Sequence, residues 1–306
     1  MSGLMARTTW GELRSGSDRV LSNADKASAA QAISELIWNA LDAEATRVVV
    51  SIERTEMGAP RVVVIDDDGH GIAPEEARDL FLTEGDSWKK DKRFSPRIKR
   101  PLHGQLGRGR LLAYSISDEV EWTSVAAVDE GFMSTTIRGS RTSPTGFDVS
   151  EGVTASGPAR TKVTLTMRDG QKSAQIGDAG FEMKVIELMA ESLHSTSDAT
   201  VTWGGEPLDA DTVIARRSDV GLDNLTDSSL HGHPSPVLTV VEWTSKVGSK
   251  RIQLCDAAGA AICEYRPGAL PVPFSWTAYL KWPGFRDSQL MGIADLHVPE
   301  INTMIC

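Results

Sequence analysis

Apolar and polar positions change period along this chain, and the changes mark its elements. From Lys26 to Ala43 the apolar residues Ile33, Leu36, Ile37, Ala40 and Leu41 recur at helical spacing and predict one amphipathic helix. Arg47–Glu53 (RVVVSIE) is rich in β-branched residues and predicts a strand. After a turn at Met57-Gly58-Ala59-Pro60, Arg61–Ile65 (RVVVI) is continuously apolar and predicts a strand in the middle of a sheet. Pro74–Leu82 predicts a short helix, with proline and two acids in its first turn. Glu119–Ser124, Phe132–Arg138 and Thr161–Met167 predict three more strands, while Ser140–Arg160 reads as loop. Phe181–His194 is a second amphipathic helix, and Val201-Thr202-Trp203-Gly204-Gly205 opens a strand and turn. Four further apolar runs, Pro236–Ser245, Arg251–Cys255, Ala261–Tyr265 and Phe274–Lys281, make the remainder β-rich. Residues 1–25 show no clear period. A boundary is expected near 195–200, separating a domain of residues 1–197 from one of residues 198–306.

Composition narrows the class. With 306 residues, 40% hydrophobic and 24% charged, the chain is ordinary for a globular protein of one large or two smaller domains. A net charge of −10 argues against a dedicated nucleic-acid coat. The three cysteines, Cys255, Cys263 and Cys306, form no CxxC pair and fit a reducing compartment better than a disulfide framework. No apolar run approaches eighteen residues, so no membrane contact is expected and the expected location is the cytoplasm. The abrupt end at Met304-Ile305-Cys306 carries the expectation of a longer parent protein.

Three stretches carry candidate chemistry. On the first helix Glu35, Asn39 and Asp42 fall within about 60° of one another, with no cation among them. They form either an acidic stripe on a surface helix or a metal and water site. Carboxylate and amide oxygens suit a hard cation such as Mg2+, and a carboxylate one turn away can serve as a general base. The second stretch follows the apolar strand directly, as Asp67-x-Gly69-x-Gly71-Ile72. Its glycines permit a sharp turn and close approach of a flat ligand. Asp67, at the strand's end, can accept a hydrogen bond from an exocyclic amine; the alternative is a tight acidic turn. His70 reads as a turn residue. The third stretch is basic. From Lys89 to Arg110 nine cations face one acid, Asp91, a local net charge of +8. Lys89–Arg100 reads as a solvated loop. It leads into His103-Gly104-Gln105-Leu106-Gly107-Arg108-Gly109-Arg110 and the apolar Leu111-Leu112-Ala113-Tyr114. A glycine loop entering a helix offers backbone N–H groups to an anion, or simply marks a hinge.

Taken in order, acidic-amide helix, strand with DxGxG and glycine loop resemble the GHKL ATPases. That group includes gyrase-type topoisomerases, the ninety-kilodalton heat-shock chaperone, histidine kinases, MutL and the MORC proteins. ELIWNALDA and GQLGRGRLLAYSISDEVEWTS are similar to the chaperone's helix motif and phosphate loop; the MutL and MORC branches stand equally near. The resemblance covers about residues 26–167. Arg160 stands where a glycine is usual.

The resemblance implies a Bergerat fold: an α/β two-layer sandwich, its mixed sheet covered by helices on one face. A second α+β, transducer-like domain would follow. It implies ATP and Mg2+ as ligands and Glu35 as the general base. Asn39 would hold the metal. Asp67 would take the adenine amine, with Thr161 assisting through water and Gly71 admitting the ring. The nucleotide-contacting set so implied is Asn39, Asp42, Asp67, Gly69, Gly71, Ile72, His103, Gly104, Gln105, Leu106, Gly107, Arg108, Gly109 and Thr161. Residues 83–103 would be a lid, and Lys281 or Lys246 a transducer lysine. The function so implied is ATP hydrolysis that drives lid closure and an ATP-dependent homodimer clamp, with a protein or nucleic-acid partner. The alternatives are a DNA-acting MutL-like or MORC-like ATPase and a non-hydrolysing nucleotide-binding module. A histidine kinase would need a phosphoacceptor histidine ahead of the first helix, and residues 1–25 hold none.

Overall fold

The computed structural model describes residues 8–12, 16–82, 95–100, 102, 109–196, 198–224, 232–244, 250–255, 257, 259, 261–265 and 273–286. The chain divides into two compact units, residues 1–189 with 196–208, and residues 190–195 with 209–306.

The first unit is a mixed sheet with helices packed on it. In chain order it contains β1 (Thr8–Glu12), α1 (Ser17–Lys26), α2 (Ala29–Asp42), β2 (Arg47–Arg54), β3 (Pro60–Asp67) and α3 (Pro74–Leu82). A 3-10 helix (Gly109–Ser115), β4 (Ser117–Val128), β5 (Gly131–Ser140), β6 (Ser143–Ser150), β7 (Val153–Thr154) and β8 (Arg160–Met167) follow. Then come α4 (Gln171–Gln175), α5 (Phe181–Ser195), β9 (Thr200–Trp203) and β10 (Glu206–Pro207), the last turns of α5 falling in the second unit. The strand order is β1-β6-β5-β4-β8-β3-β2-β9-β10, with β7 beside β5. Neighbours are antiparallel except β2 and β9, which run parallel. The apolar strand β3 lies between β8 and β2, as its continuous run predicts. Its inward face alternates Val63, Ile65 and Asp67, all buried.

The helix expected from Lys26 to Ala43 is α2, which starts three residues later, at Ala29; Lys26 is the last residue of α1. The break falls at Ala27-Ser28, where a capping box starts α2. Ser28 Oγ accepts from Gln31 N at 3.1 Å, and Gln31 Oε1 accepts from Ser28 N at 2.8 Å. The apparently unpatterned N-terminal region contains β1 and α1, which buries Val20 and Ala24. The stretch 140–160, expected as loop, holds β6 and β7. Pairing with β5 and β1 makes β6 a strand despite its Pro144 and Gly146.

The second unit is a five-stranded sheet: β11 (Ile214–Gly221), β12 (Val237–Trp243), β13 (Arg251–Cys255), β14 (Ala261–Tyr265) and β15 (Trp276–Lys281), in the order β11-β12-β15-β13-β14. The sequence pattern missed β11. Trp276, Trp282 and Phe285 are core residues there, packed with Ile252, Leu254, Ala278 and Leu280. Among the described residues no helix is long and apolar enough to cross a membrane.

Candidate functional site

α2 presents its apolar side, Ile33, Leu36, Ile37, Ala40 and Leu41, to the interior. Its end sits over the turn after β3: His70 N donates to the Ala43 carbonyl at 2.9 Å. That packing leaves a cavity of about 800 Å3 in the first unit, lined by Asn39, Asp67, Gly71, Ile72, Gly109 and Thr161 among others. Five of these come from three separate sequence motifs and Thr161 from a fourth stretch, so the fold brings these six together; Glu35 and Gly69 are not among the lining residues.

Asp67 is 4% exposed. The period-2 face that points Val63 and Ile65 into the core points its carboxyl there too. Desolvation therefore pushes it up, to about 7. The charges of Asp66 and Asp68 add to the push, while N–H groups of Gly69 and Thr161 oppose it. Gly69 N donates to Asp67 Oδ1 at 2.9 Å, and Thr161 is the cross-strand partner of Asp67. The third acid of the run has a different task. Asp68 accepts from Thr46 N, Thr46 Oγ1 and Arg47 N, each at 2.7 Å, and so ties the α2–β2 turn to the end of β3. Partial burial pushes its carboxyl up, yet these hydrogen bonds outweigh that and hold it below the usual range.

Gly71 has φ +74, and a Cβ there would overlap the Val125 carbonyl oxygen, so both conformation and space require glycine. Gly109 lies against Glu35: a Cβ on it would overlap Glu35 Oε2. Glu35 is half-buried and Asn39 exposed, one helical turn apart on α2. Asp42, expected beside them, is 1% exposed and does not line the cavity. His103, Gly104, Gln105, Leu106, Gly107 and Arg108 lie outside the described residues, as does Lys246. Lys281 ends β15 in the second unit. The apolar run after the glycine loop is a 3-10 helix rather than an α-helix.

Several site residues carried no sequence signal. Ser124 on β4 bridges two walls: its Oγ accepts from Ile72 N at 2.8 Å and lies 2.9 Å from Thr161 Oγ1. Phe81 and Trp122 form an apolar wall, with ring centroids 4.8 Å apart and edge-to-face. Arg100, expected in a solvated loop, is 5% exposed. It donates to the Leu41 carbonyl at 2.7 Å, the Ala45 carbonyl at 2.8 Å and Asp198 Oδ2 at 2.8 Å. It gives the Ala45 carbonyl, just past α2, a partner and the Leu41 carbonyl a second donor beside Glu44 N.

Residues 27–155 match the family described as histidine kinase-, DNA gyrase B-, and HSP90-like ATPase. The first unit belongs to this family. The matched span takes in α2, the DxGxG turn and Gly109, and stops six residues short of Thr161. This GHKL unit is also similar to a curated relative, the DNA mismatch repair protein MutL of Exiguobacterium sibiricum, at 44% identity over 70 residues. That alignment covers 23% of this chain and 11% of the relative. The mixed sheet with helices packed on it is the Bergerat α/β fold of the GHKL family.

Proposed function

We propose that the chain binds Mg·ATP in the cavity of its first unit and hydrolyses it. The observation that carries this reading is the convergence of Asn39, Asp67, Gly71, Gly109 and Thr161 on one cavity, with the Glu35 carboxylate against Gly109. Asp67 accepts the adenine amine, beside the Ser124 and Thr161 hydroxyls that tie β4 to β8. Gly71 lets the ring approach the backbone. Residues 104–109 cradle the phosphates with backbone N–H groups. Glu35 takes the proton of the attacking water.

Asn39 fits the metal's needs as a neutral oxygen donor on the cavity wall. Among the described residues no three His, Cys, Asp or Glu side chains stand together as a metal site. Phosphate oxygens and water would complete the shell, as Mg2+ prefers. When bound, the ion neutralises charge developing on the phosphates. The decisive experiment pairs calorimetric binding of ATP with steady-state hydrolysis. The reading expects both from the parent chain, and binding without turnover from Glu35→Ala.

A second reading concerns the partner. The lid, residues 83–103, closes over triphosphate and promotes a homodimer that acts on DNA or a protein. The similarity to a mismatch repair protein and the +8 run from Lys89 to Arg110 favour DNA. Retention on DNA that weakens steeply with salt supports it, and salt-independent retention counts against it. The second unit is read as a transducer-like domain.

A further inference from the structure

Residues 95–100 close into a ring. Ser95 N donates to the Arg100 carbonyl at 2.8 Å, and Arg100 N donates to Ser95 Oγ at 3.0 Å. Lys99 Nζ donates to the Pro96 carbonyl at 3.0 Å inside it. The Arg100 side chain ties the ring to the end of α2, as described above. A second tie comes from Glu44, whose Oε1 accepts from Arg97 N at 2.6 Å and Ile98 N at 3.0 Å.

Glu44 occupies an unusual position for its type. α2 ends in a Schellman motif, with Glu44 N donating to the Leu41 carbonyl and Ala45 N to the Ala40 carbonyl. The residue in that left-handed position is normally glycine. Glu44 has φ +64 and Lys99 φ +58, and among the described residues they are the two non-glycine positions with positive φ. Such residues persist where their surroundings hold them, and they cluster at functional sites. Both belong to this one ring and its latch. Glycine at position 44 would suit the backbone better, but it could not hold the two N–H groups.

The latch places Pro96 and Arg97 on the cavity wall. Ala43, also on that wall, lies about one helical turn, ~6 Å of rise, beyond Asn39. Arg97 is exposed, while Asp67 at the other wall is buried. A nucleotide held by its base at Asp67 leaves its charged chain toward the exposed side, where charge keeps its hydration. Among the described residues the other charged groups on the wall are Arg110, stacked 5.2 Å from the Phe81 ring centroid, and the α3 acids Glu76 and Asp79. We propose that Arg97 is a nucleotide-binding residue whose guanidinium contacts the phosphate chain, and that Glu44 is the positioning residue that aims it. Guanidinium matches phosphate with two parallel donors. This rests on the nucleotide-pocket reading above.

The test is calorimetric titration of the full chain with adenosine and with Mg·ADP, alongside thermal melts. Arg97→Ala is expected to weaken ADP at least tenfold and to leave adenosine within twofold, with Arg97→Lys in between. Glu44→Gly relieves the left-handed position, so its melting temperature should equal or exceed the parent's while its ADP affinity falls severalfold. In the Arg97→Ala background, Glu44→Gly should cost nothing more. Parent-like ADP binding by Arg97→Ala overturns the inference, as does an equal loss of adenosine and ADP. An undiminished Glu44→Gly effect in the Arg97→Ala background overturns the positioning role. A parent chain that binds neither ligand overturns the nucleotide reading itself, and this inference with it.

Discussion

The Gly109 backbone abuts the Glu35 carboxylate so closely that a single methyl group at 109 would overlap Oε2. The first residue of the 3-10 helix thus lies directly against the proposed base. Gly109→Ala should push the carboxylate aside and cut turnover at least tenfold, while ATP binding falls less. Glu35→Ala should lose roughly 10²–10⁴-fold in turnover with ATP still bound. Hydrolysis by Glu35→Ala at the parent rate would place the base elsewhere.

Asn39 offers the proposed metal its side-chain oxygen from an exposed position on α2. Asn39→Ala should weaken ATP binding in magnesium and change it little in EDTA. Removal of magnesium from the parent should reproduce the variant's affinity. A variant that loses the same affinity with and without magnesium assigns Asn39 to the nucleotide alone.

Asp67 predicts both base choice and pH dependence. Guanine presents a carbonyl where adenine has its amine. Two facing acceptors cost roughly 1–3 kcal/mol or more, so ATP should outcompete GTP at least tenfold. The charged form accepts the amine, but burial raises the carboxyl to about 7. Below that pH the group must lose a proton to bind, so affinity should fall about tenfold from pH 8 to pH 6. Asp67→Asn should flatten this slope, leaving the part due to the phosphates. Without ligand the sign reverses. The folded state holds the proton more tightly than the unfolded one, so stability from this group is lost as pH rises from about 4 through 7. Equal ATP and GTP affinities in a competition titration would remove Asp67 from the base site.

Arg100 joins the end of α2 to Asp198 through three hydrogen bonds. Arg100→Ala strands the Ala45 carbonyl and takes one of two donors from the Leu41 carbonyl, a loss of roughly 1–3 kcal/mol. Denaturant melts should show a lower midpoint with an unchanged slope. A variant as stable as the parent would mean that water replaces the guanidinium freely.

The proposed lid and dimer are tested together. Hydrogen exchange across residues 83–103 should slow with a non-hydrolysable ATP analogue, least at the N–H groups of Ser95, Arg97, Ile98 and Arg100, which are already hydrogen-bonded. Light scattering should show the mass rising toward two chains. Unchanged exchange together with a constant mass near one chain would remove the clamp from the reading.

Much of the site was legible because its chemistry is local. Asp67, Gly69 and Gly71 lie within one turn, and a strand that alternates inward residues must also bury its last one. Glu35 and Asn39 share a face because helical period places them there. Asp42 shares that period, yet packing buried it away from the cavity. Ser28 and Gln31 carried a readable capping box, which starts α2 at Ala29, three residues after the start expected from periodicity. The strand β6 was unreadable for the opposite reason: its residues have little strand propensity, and pairing with β1 and β5 makes them a strand.

The sequence by itself determined the order of motifs, the family they resemble and the identity of the groups that can do the chemistry. It did so because helix and strand periods and glycine spacing act over a few residues. The tertiary structure alone decided that Ser124 joins Ile72 to Thr161, that Gly109 meets Glu35, and that Arg100 leaves the basic run to bury itself beneath α2. It also decided that Glu44 holds Arg97 at the cavity. Each of these contacts spans between 37 and 74 residues, or 53 in the case of Glu44 and Arg97. Strand register and helix packing set such distances, and no local periodicity encodes them.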